Sequence, residues 1–349
     1  MRQSLKNILR PPLARFATAH RPGQLADIAV VSSPRSGSTW LMEIIATQPG
    51  MKYVNEPDHK DLLERYGALR IPPRWCWLSL APHERRDLAL YLLDDRRSGL
   101  FGPVNPFTAK QSWRTNRRVL KLIRMTALVE WLDSLGFTTV YMLRHPIPQA
   151  QSCITRRHLV RVDEFLADTA FLQLLSADTV SYVRRVASDG DPILQFVTQW
   201  CLENIVALNS PLAGRRFALT THERLITDPV AETERLAQVL SLERRDLLLG
   251  QVSKPSRTTD TSSTATRDSI RSGESSRLLE AWRRDLSQNE ERRLLEPLQV
   301  FGINLYTYGE LLPDFPPHWA SIAEPLEHPS LPAATVGPVP SDPAATYLP

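Results

Sequence analysis

Residues 28–40 read Ile-Ala-Val-Val-Ser-Ser-Pro-Arg-Ser-Gly-Ser-Thr-Trp, and this stretch decides the fold. The β-branched run from Ile28 to Val31 predicts a buried strand, and the apolar spacing from Trp40 onward predicts a helix. Small residues around Gly37 join the two elements. The backbone N–H groups of such a loop, together with the dipole of the following helix, favour an anion. The stretch therefore predicts a phosphate site.

The loop departs from the Walker pattern G-x-x-x-x-G-K-[ST], in which the Lys reaches the phosphates and the hydroxyl residue holds Mg²⁺. Gly37 and Thr39 match the last Gly and the Thr, but Ser38 replaces the Lys and Ser32 replaces the first Gly. The cation of the loop is instead Arg35. This departure argues against a triphosphate with its metal and favours a shorter anion. An ordinary strand–turn–helix junction without a ligand is the alternative for this motif alone.

A second strand is predicted at residues 138–143, and Arg144 follows it at the edge where ligands bind in open α/β sheets. Pro146 and Pro148 favour the first turn of a helix, which places Ser152 one or two turns further on. A guanidinium and a hydroxyl could hold a second, separate phosphate there.

The octapeptide Pro-Arg-Ser-Gly-Ser-Thr-Trp-Leu at residues 34–41 resembles the 5′-phosphosulfate loop of the sulfotransferases that use 3′-phosphoadenosine 5′-phosphosulfate (PAPS). The spacing of Arg144 and Ser152 is similar to the 3′-phosphate motif of that family. Residues 221–229 and 282–287 resemble two further segments of the family, Y-E-D-L-x-x-D-P and W-R-x-x-L-S, although His222 replaces the usual Tyr of the first. Arg224 also replaces its acidic residue.

The resemblance extends from about Asp27 to Tyr308 and implies an α/β fold. The expected architecture has three layers, with a central, mostly parallel sheet between helices, as in P-loop nucleoside triphosphate hydrolases. The expected organisation is a basic extension at residues 1–24, a sulfotransferase domain at 25–312 and a Pro-rich, disordered tail at 313–349. Apolar spacing also predicts one long helix over residues 163–186.

The resemblance implies a role for each residue of the motifs. Arg35 would stabilise charge on the leaving phosphate, and Arg144 with Ser152 would hold the 3′-phosphate. The remaining residues expected at the nucleotide are Ser36, Gly37, Ser38, Thr39 and Trp40, the last of which is most simply explained by packing beneath the loop. PAPS would be the co-substrate, and the family needs no metal.

Glu56, which precedes Pro57, is the candidate general base, because carbohydrate and tyrosylprotein sulfotransferases have a Glu in a similar place. It follows a predicted strand at residues 51–54 and should lie at the same sheet edge as the loop. His59 is the local rival for this role. The other interpretation is that Glu56 caps a helix or pairs with Lys60 at the surface.

The polar segment at residues 253–276 corresponds to the part of the family that closes over the adenosine phosphates. Arg267, Arg271 and Gly273 are its candidate nucleotide contacts. A solvated Ser/Thr linker is an equally good interpretation of this composition.

The 349 residues carry a net charge of +4, which suits anionic ligands. The Arg residues are scattered and no nucleic-acid-binding motif occurs, so a nucleic acid partner is not expected. Three widely spaced Cys residues favour a reducing compartment, and the absence of a long apolar stretch predicts a cytoplasmic protein without an integral membrane segment. A membrane-touching or organelle-targeting start at the basic N-terminus is the alternative. The sequence indicates no particular oligomeric state.

The sequence thus predicts sulfuryl transfer from PAPS to a hydroxyl of a sugar, lipid or other small-molecule alcohol. Two alternatives stay open. One is a P-loop nucleotide kinase or NTPase, which lacks its Lys here. The other is a relative that binds nucleotide but has lost turnover.

Overall fold

A five-stranded parallel sheet organises the computed structural model, which describes residues 20–59, 63, 78–94, 115–256, 268, 276–316 and 319. The strands are β1 (Ile28–Ser32), β2 (Met51–Asn55), β3 (Arg117–Leu122), β4 (Thr138–Leu143) and β5 (Phe217–Thr221). Their order is β2-β3-β1-β4-β5, and every neighbouring pair is parallel. The strands predicted at residues 28–31, 51–54 and 138–143 are present as β1, β2 and β4, and the predicted α/β fold class is confirmed.

Helices connect the strands and cover both faces of the sheet. Those in the first half of the chain are α1 (Ser38–Ile45), α2 (Pro82–Leu93), α3 (Val129–Ser134), α4 (Pro146–Thr155), α5 (Val162–Leu166), α6 (Thr169–Leu172) and α7 (Ala177–Asp189). The later ones are α8 (Pro192–Leu208), α9 (His222–Thr227), α10 (Pro229–Val239), α11 (Arg245–Val252), α12 (Ser276–Glu280) and α13 (Gln288–Val300). Short 3₁₀ helices span Thr126–Leu128 and Ala281–Asp285.

Alternating residues of β1 enter two different apolar clusters. Ala29 and Val31 pack with residues of α4, α8 and α13, whereas Ile28 and Val30 pack with residues of α1, α10 and α11. Because successive side chains of a strand point to opposite faces, this division means that helices bury the sheet from both sides. The molecule therefore has the three layers that the sequence predicted.

The prediction of one helix over residues 163–186 is wrong, because the structure divides that stretch among α5, α6 and α7. Asp168 accepts a hydrogen bond from the Phe171 backbone N–H and begins α6. Ser176 accepts one from the Thr179 backbone N–H and begins α7. These two side-chain caps therefore divide the stretch into separate helices, although its apolar spacing continues across both caps. The first 19 residues and the tail beyond residue 319 lie outside the described residues.

Candidate active site

The residues singled out by the motifs meet at the carboxyl edge of the sheet, around the end of β1. This strand is where the order of the sheet changes direction, since β2 and β3 lie on one side of it and β4 and β5 on the other. Open α/β sheets bind their ligands in the crevice at such a switch point. Residues 33–37 leave β1 there and lead directly into α1.

Two residues of this loop have a left-handed backbone. Arg35 has a φ of 66° and Gly37 a φ of 98°. A Cβ on Gly37 would lie 2.9 Å from His222 Cδ2 and 3.0 Å from Met142 Cε, so the packing as well as the backbone requires glycine. The Ser36 hydroxyl is buried and has no hydrogen-bond partner among the described residues. A buried hydroxyl in that situation fits a loop that is built to receive an anion.

Arg35 connects the loop to the β4 side of the crevice. Its Nε donates a hydrogen bond to Ser152 Oγ over 3.0 Å, although the two residues lie 117 positions apart. Arg144, directly after β4, donates through Nη1 to the Arg35 carbonyl oxygen over 3.2 Å. The structure therefore brings together the three residues that the sequence assigned to two separate phosphates.

A buried aromatic and carboxylate cluster supports Arg144. Glu223 accepts hydrogen bonds from the His145 backbone N–H (2.9 Å) and from the Tyr306 hydroxyl (3.0 Å). The His145 ring packs at 4.7 Å from Trp282 and at 4.8 Å from Tyr306, between ring centroids. One buried cluster therefore joins His145, which follows β4, with Glu223, which follows β5, and with Trp282.

Burial lowers the pKa of His145 to about 3, with contributions from the charges of Arg283 and Arg144. Burial also raises the pKa of Glu223. A neutral imidazole that is enclosed by aromatic rings has a structural role here, and it holds the backbone beside Arg144 in place.

Lys121, at the end of β3, is the main residue that the sequence reasoning missed. Its Nζ donates to Thr39 Oγ1 over 2.8 Å and to Glu56 Oε1 over 2.7 Å. The side chain is only 7% exposed, and its ammonium lies between the anion loop and the candidate base. The available signal was a single Lys inside the apolar run Val-Leu-Lys-Leu-Ile, which forms the carboxyl end of β3.

Glu56 lies beside the loop, as the sequence predicted, and its backbone is unusual. It has a φ of 50° and its backbone N–H donates to the Lys121 carbonyl oxygen over 2.9 Å. A second cation, Arg124, stands 3.7 Å from Glu56 Oε2. His59 donates its backbone N–H to the Glu56 carbonyl oxygen, so the rival base is close by. The alternative partner, Lys60, lies outside the described residues.

The charges around Glu56 determine its protonation. Burial raises the pKa of this carboxyl, but the charge and hydrogen bond of Lys121, followed by Arg124 and His59, outweigh burial and leave the pKa below its usual value of 4.5. Asp58 is fully buried and accepts the backbone N–H groups of Ile123 and Arg124, which fixes the end of β3 against this segment. Because its pKa lies below 4.5, Glu56 is a carboxylate at neutral pH.

Trp40 is almost fully buried in α1, and its ring centroid lies 5.5 Å from that of His222. Burial lowers the pKa of His222 well below its usual value, and the Arg144 charge acts in the same direction. Trp40 thus packs beneath the loop, as its position suggested. Ser38 is buried in the first turn of the same helix.

Three further candidates, Arg267, Arg271 and Gly273, lie outside the described residues. Within the described ranges, no group of three or more His, Cys, Asp or Glu side chains could hold a metal ion. Across the same ranges, none of the helices combines the length and the apolar character that crossing a membrane requires.

Comparison with known proteins yields structural matches only. No protein-family model and no curated protein sequence matches the chain significantly. Mouse sulfotransferase SULT7A1, solved in complex with PAP, is 16% identical with a TM-score of 0.39, and the match covers 82% of this chain and 88% of the mouse protein. The sulfotransferase domain of the Synechococcus PCC 7002 olefin synthase is 18% identical with a TM-score of 0.42, over 85% and 98% of the two chains.

Retinol dehydratase, solved with androsterone and the inactive cofactor PAP, is 14% identical with a TM-score of 0.26, over 84% of this chain and 75% of its own. Two of these three structures carry the name sulfotransferase. Identities of 14–18% with TM-scores below 0.5 do not assign a function to this chain.

Proposed function

We propose that the protein is a sulfotransferase that moves the sulfuryl group of PAPS to an acceptor hydroxyl. One observation carries this proposal: the Lys121 ammonium donates at once to Thr39 of the anion loop and to Glu56, over 2.8 and 2.7 Å. A single buried cation thus links the side where negative charge would develop with the side where a proton would be removed. Acceptor activation and leaving-group stabilisation need this proximity.

The same contact disfavours a magnesium-dependent kinase or NTPase. In Walker proteins, the hydroxyl that corresponds to Thr39 is a ligand of Mg²⁺. In this chain the Thr39 oxygen accepts a hydrogen bond from Lys121 instead. A positive charge at 2.8 Å from that oxygen repels a divalent cation, so the local chemistry favours an anion that binds without metal.

The polar groups on the two sides of the loop fit the two ends of a doubly phosphorylated nucleotide. Arg35, the buried Ser36 hydroxyl and Lys121 surround the β1 side, which would hold the 5′-phosphosulfate. Arg144 and Ser152 lie on the β4 side, which would hold the 3′-phosphate. When bound, PAPS supplies an activated sulfuryl group on a phosphate leaving group.

In the proposed reaction, the acceptor oxygen forms a bond to sulfur while the bond between sulfur and the bridging oxygen breaks. The acceptor proton passes to the Glu56 carboxylate, and the electron pair of the broken bond stays on the leaving phosphate. Arg35 and Lys121 stabilise that developing charge. One such donor typically lowers a barrier by ~3–4 kcal/mol. Glu56 can accept the proton because it is ionised at neutral pH, although its lowered pKa makes it a weaker base than a free glutamate.

Isothermal titration tests the nucleotide part of the proposal. We expect adenosine 3′,5′-bisphosphate to bind about tenfold or more tightly than ATP with Mg²⁺, a difference of at least ~1.4 kcal/mol. Ser152→Ala should weaken the bisphosphate, whereas Gln151→Ala on the same helix should not. A preference for ATP with Mg²⁺, or no binding of the bisphosphate, would contradict the proposal.

Radiolabelled transfer from PAPS to a small-molecule extract tests the chemical step and reveals the acceptor. A labelled product that disappears with Arg35→Ala is the expected result. Tight bisphosphate binding without transfer to any component would instead identify a nucleotide-binding relative without turnover.

A further inference from the structure

Arg124, which follows β3, is shared by two carboxylates of the segment that follows β2. Its Nη1 lies 3.7 Å from Glu56 Oε2 and 3.6 Å from Asp58 Oδ1. Both distances are longer than a hydrogen bond, and they are almost equal. One guanidinium is therefore held between the proposed base and a second carboxylate, whose side chain is fully buried.

The two carboxylate oxygens of Glu56 have different surroundings. Oε1 accepts a hydrogen bond from Lys121 Nζ over 2.7 Å. Oε2 has the longer ion-pair contact with Arg124 and accepts no hydrogen bond from the described part of the chain. Because Oε1 is engaged by Lys121, Oε2 is the oxygen that is available to take the acceptor proton.

Asp58 contacts Arg124 at its backbone as well as at its guanidinium. Asp58 Oδ2 accepts the backbone N–H groups of Ile123 and Arg124 over 2.9 and 2.7 Å, and Oδ1 faces the guanidinium. Both oxygens thus face donors, which is the arrangement of an ionised carboxyl. Burial raises the pKa of Asp58, while the charge of Arg124 and the two backbone hydrogen bonds oppose this effect.

The backbone sets the spacing of these three groups. Glu56 donates its backbone N–H to the Lys121 carbonyl oxygen over 2.9 Å, and Asp58 is bonded to the backbone of residues 123 and 124. Both carboxylates are therefore anchored to the same stretch of chain that carries Arg124. The distances from the guanidinium do not depend on mobile surface side chains.

The position of Arg124 matters for the chemistry of Glu56. A guanidinium and a carboxylate usually pair at about 2.7–2.9 Å, frequently through two parallel hydrogen bonds. Such a pair would occupy Glu56 Oε2 and make the carboxylate a weaker base. At 3.7 Å, Arg124 stops short of that geometry, and the charge of Asp58 attracts it from a similar distance.

We propose that Asp58 is a positioning residue for the base: it holds the Arg124 guanidinium away from Glu56 Oε2, so that this oxygen stays open to the acceptor proton. This inference rests on the proposed sulfotransferase function and assigns a part in it to Asp58. Asp58 acts through Arg124 and does not itself touch the reacting atoms.

Carboxyl ¹³C NMR on protein labelled at glutamate measures the pKa of Glu56 without requiring transfer, and Glu56→Gln assigns the resonance. The other charged or titratable groups around Glu56 are Lys121 at the end of β3, His59 in its own segment and His158 after α4. The variants below leave these three groups unchanged.

Asp58→Asn keeps a carbonyl oxygen for the two backbone N–H groups but removes the charge that attracts Arg124. We expect the guanidinium to close on Glu56, which should lower the Glu56 pKa by about one unit. Single-turnover transfer at neutral pH should fall by about tenfold, because the base is weaker and Oε2 is occupied.

The same substitution in an Arg124→Leu background decides whether Asp58 acts through Arg124. Without the guanidinium, most of the effect of Asp58→Asn on the Glu56 pKa and on transfer should disappear. Equal effects in the two backgrounds overturn the inference, and so does an unchanged Glu56 pKa in the single variant Asp58→Asn.

Asp133→Asn is the matched control. Asp133 is a buried carboxylate that accepts a hydrogen bond from Arg216 Nη2 over 2.8 Å, and Arg216 precedes β5 at the amino edge of the sheet. This variant should lower the free energy of unfolding and leave the Glu56 pKa unchanged. A merely structural role for Asp58 predicts the same pattern for Asp58→Asn.

If Asp58→Asn does not fold, the wild-type titration decides. Protonation of Asp58 should then produce a second inflection in the Glu56 curve, which Arg124→Leu should remove, and a single inflection in the wild-type protein overturns the inference. Absence of transfer in the wild-type protein would instead refute the proposed function, whereas the NMR titrations concern Asp58 alone, so the two failures are distinguishable.

Discussion

The two sides of the anion loop hold their charged groups in different ways. On the β3 side, Lys121 and Glu56 form a direct ion pair, and Glu56 is still 22% exposed. On the β4 side, Arg144 is positioned through the backbone, since its own carbonyl oxygen accepts a hydrogen bond from the Trp200 indole. The carboxylate nearest to this scaffold, Glu223, is only 2% exposed and is fixed by Tyr306.

Because of this difference, the two sides should respond differently to substitution. Only the Glu56 side of the ion pair on the β3 side is partly exposed, so substitution of this carboxyl has a smaller structural cost than loss of a fully buried partner. The buried cluster on the β4 side cannot lose a partner without leaving a polar group unsatisfied. We therefore expect substitutions on the β3 side to affect turnover, and those in the cluster on the β4 side to affect stability.

Glu56→Gln should produce the largest effect. The amide keeps the shape of the side chain but cannot accept the acceptor proton, so single-turnover transfer should fall by about 10²–10⁴-fold. The affinity for adenosine 3′,5′-bisphosphate should stay within about twofold, since the nucleotide is held by other residues. Glu243→Gln, an exposed carboxylate on the surface, serves as the control. Wild-type turnover in Glu56→Gln would remove Glu56 from the role of base.

Lys121→Met comes next. The substitution keeps an unbranched side chain but removes the ammonium from Thr39 and Glu56, and transfer should fall by about 10²–10³-fold. Lys121→Arg, which retains the charge, should recover part of the rate. A purely structural role for Lys121 predicts the reverse pattern, with lowered unfolding free energy and a normal rate in the folded fraction.

The sequence alone could predict the position of Glu56 but not the contacts of Lys121. The position of Glu56 was predictable because it directly follows a predicted strand, at residues 51–54, whose carboxyl end lies at the ligand edge of the sheet. Lys121 was not, because one Lys in an apolar strand has no motif around it, and its partners are 82 and 65 positions away. Contacts between residues so far apart in the chain depend on the order of the strands in the sheet, which the local sequence around either residue does not show.

The same reasoning explains the rest of the fold. The strands were predictable, since short β-branched runs buried on both faces have a strong local pattern, as in residues 28–31. The break at Asp168 and Ser176 was missed because a cap is a single polar side chain inside a continuing apolar period. Pairing of Arg35 with Ser152 depends on tertiary packing across the crevice.

Gly37→Ala should have an intermediate effect. The left-handed backbone costs a non-glycine residue about 1–2 kcal/mol, and the added methyl group would also press on His222 and Met142. Gly190→Ala is the matched control, because Gly190 has a φ of 83° and nothing within 4 Å of the added carbon. Urea unfolding should show a loss for both variants. Only Gly37→Ala should also weaken the bisphosphate, and equal affinities in the two variants would contradict a tight fit at the loop.

Tyr306→Phe tests the prediction that substitutions in the cluster on the β4 side affect stability. Its hydroxyl donates to Glu223, so its removal should cost about 1–3 kcal/mol in the free energy of unfolding. The turnover of the folded protein should change less than about twofold, because Tyr306 does not contact the loop residues named above. A large loss of turnover at unchanged stability would show that the division between the two sides is wrong.

The smallest expected effect is a shift of the acid limb of the pH profile of transfer to below the usual glutamate pKa of 4.5. Lys121, with Arg124 and His59, lowers the pKa of Glu56 below 4.5 in spite of burial, so the carboxylate persists as the pH falls through that value. Single-turnover transfer should therefore decline only at pH values below 4.5, with circular dichroism as the check that the protein stays folded.

Protonation of Glu56 in the same range would also remove the stability that its pair with Lys121 provides above 4.5, since a lowered pKa in the folded state favours folding only while the group is ionised. Arg124→Leu removes one lowering charge and should move the limb upward. An acid limb at or above 4.5 in the wild-type protein would mean that a group other than Glu56 takes the proton. His59 on the β3 side would then be the next residue to substitute.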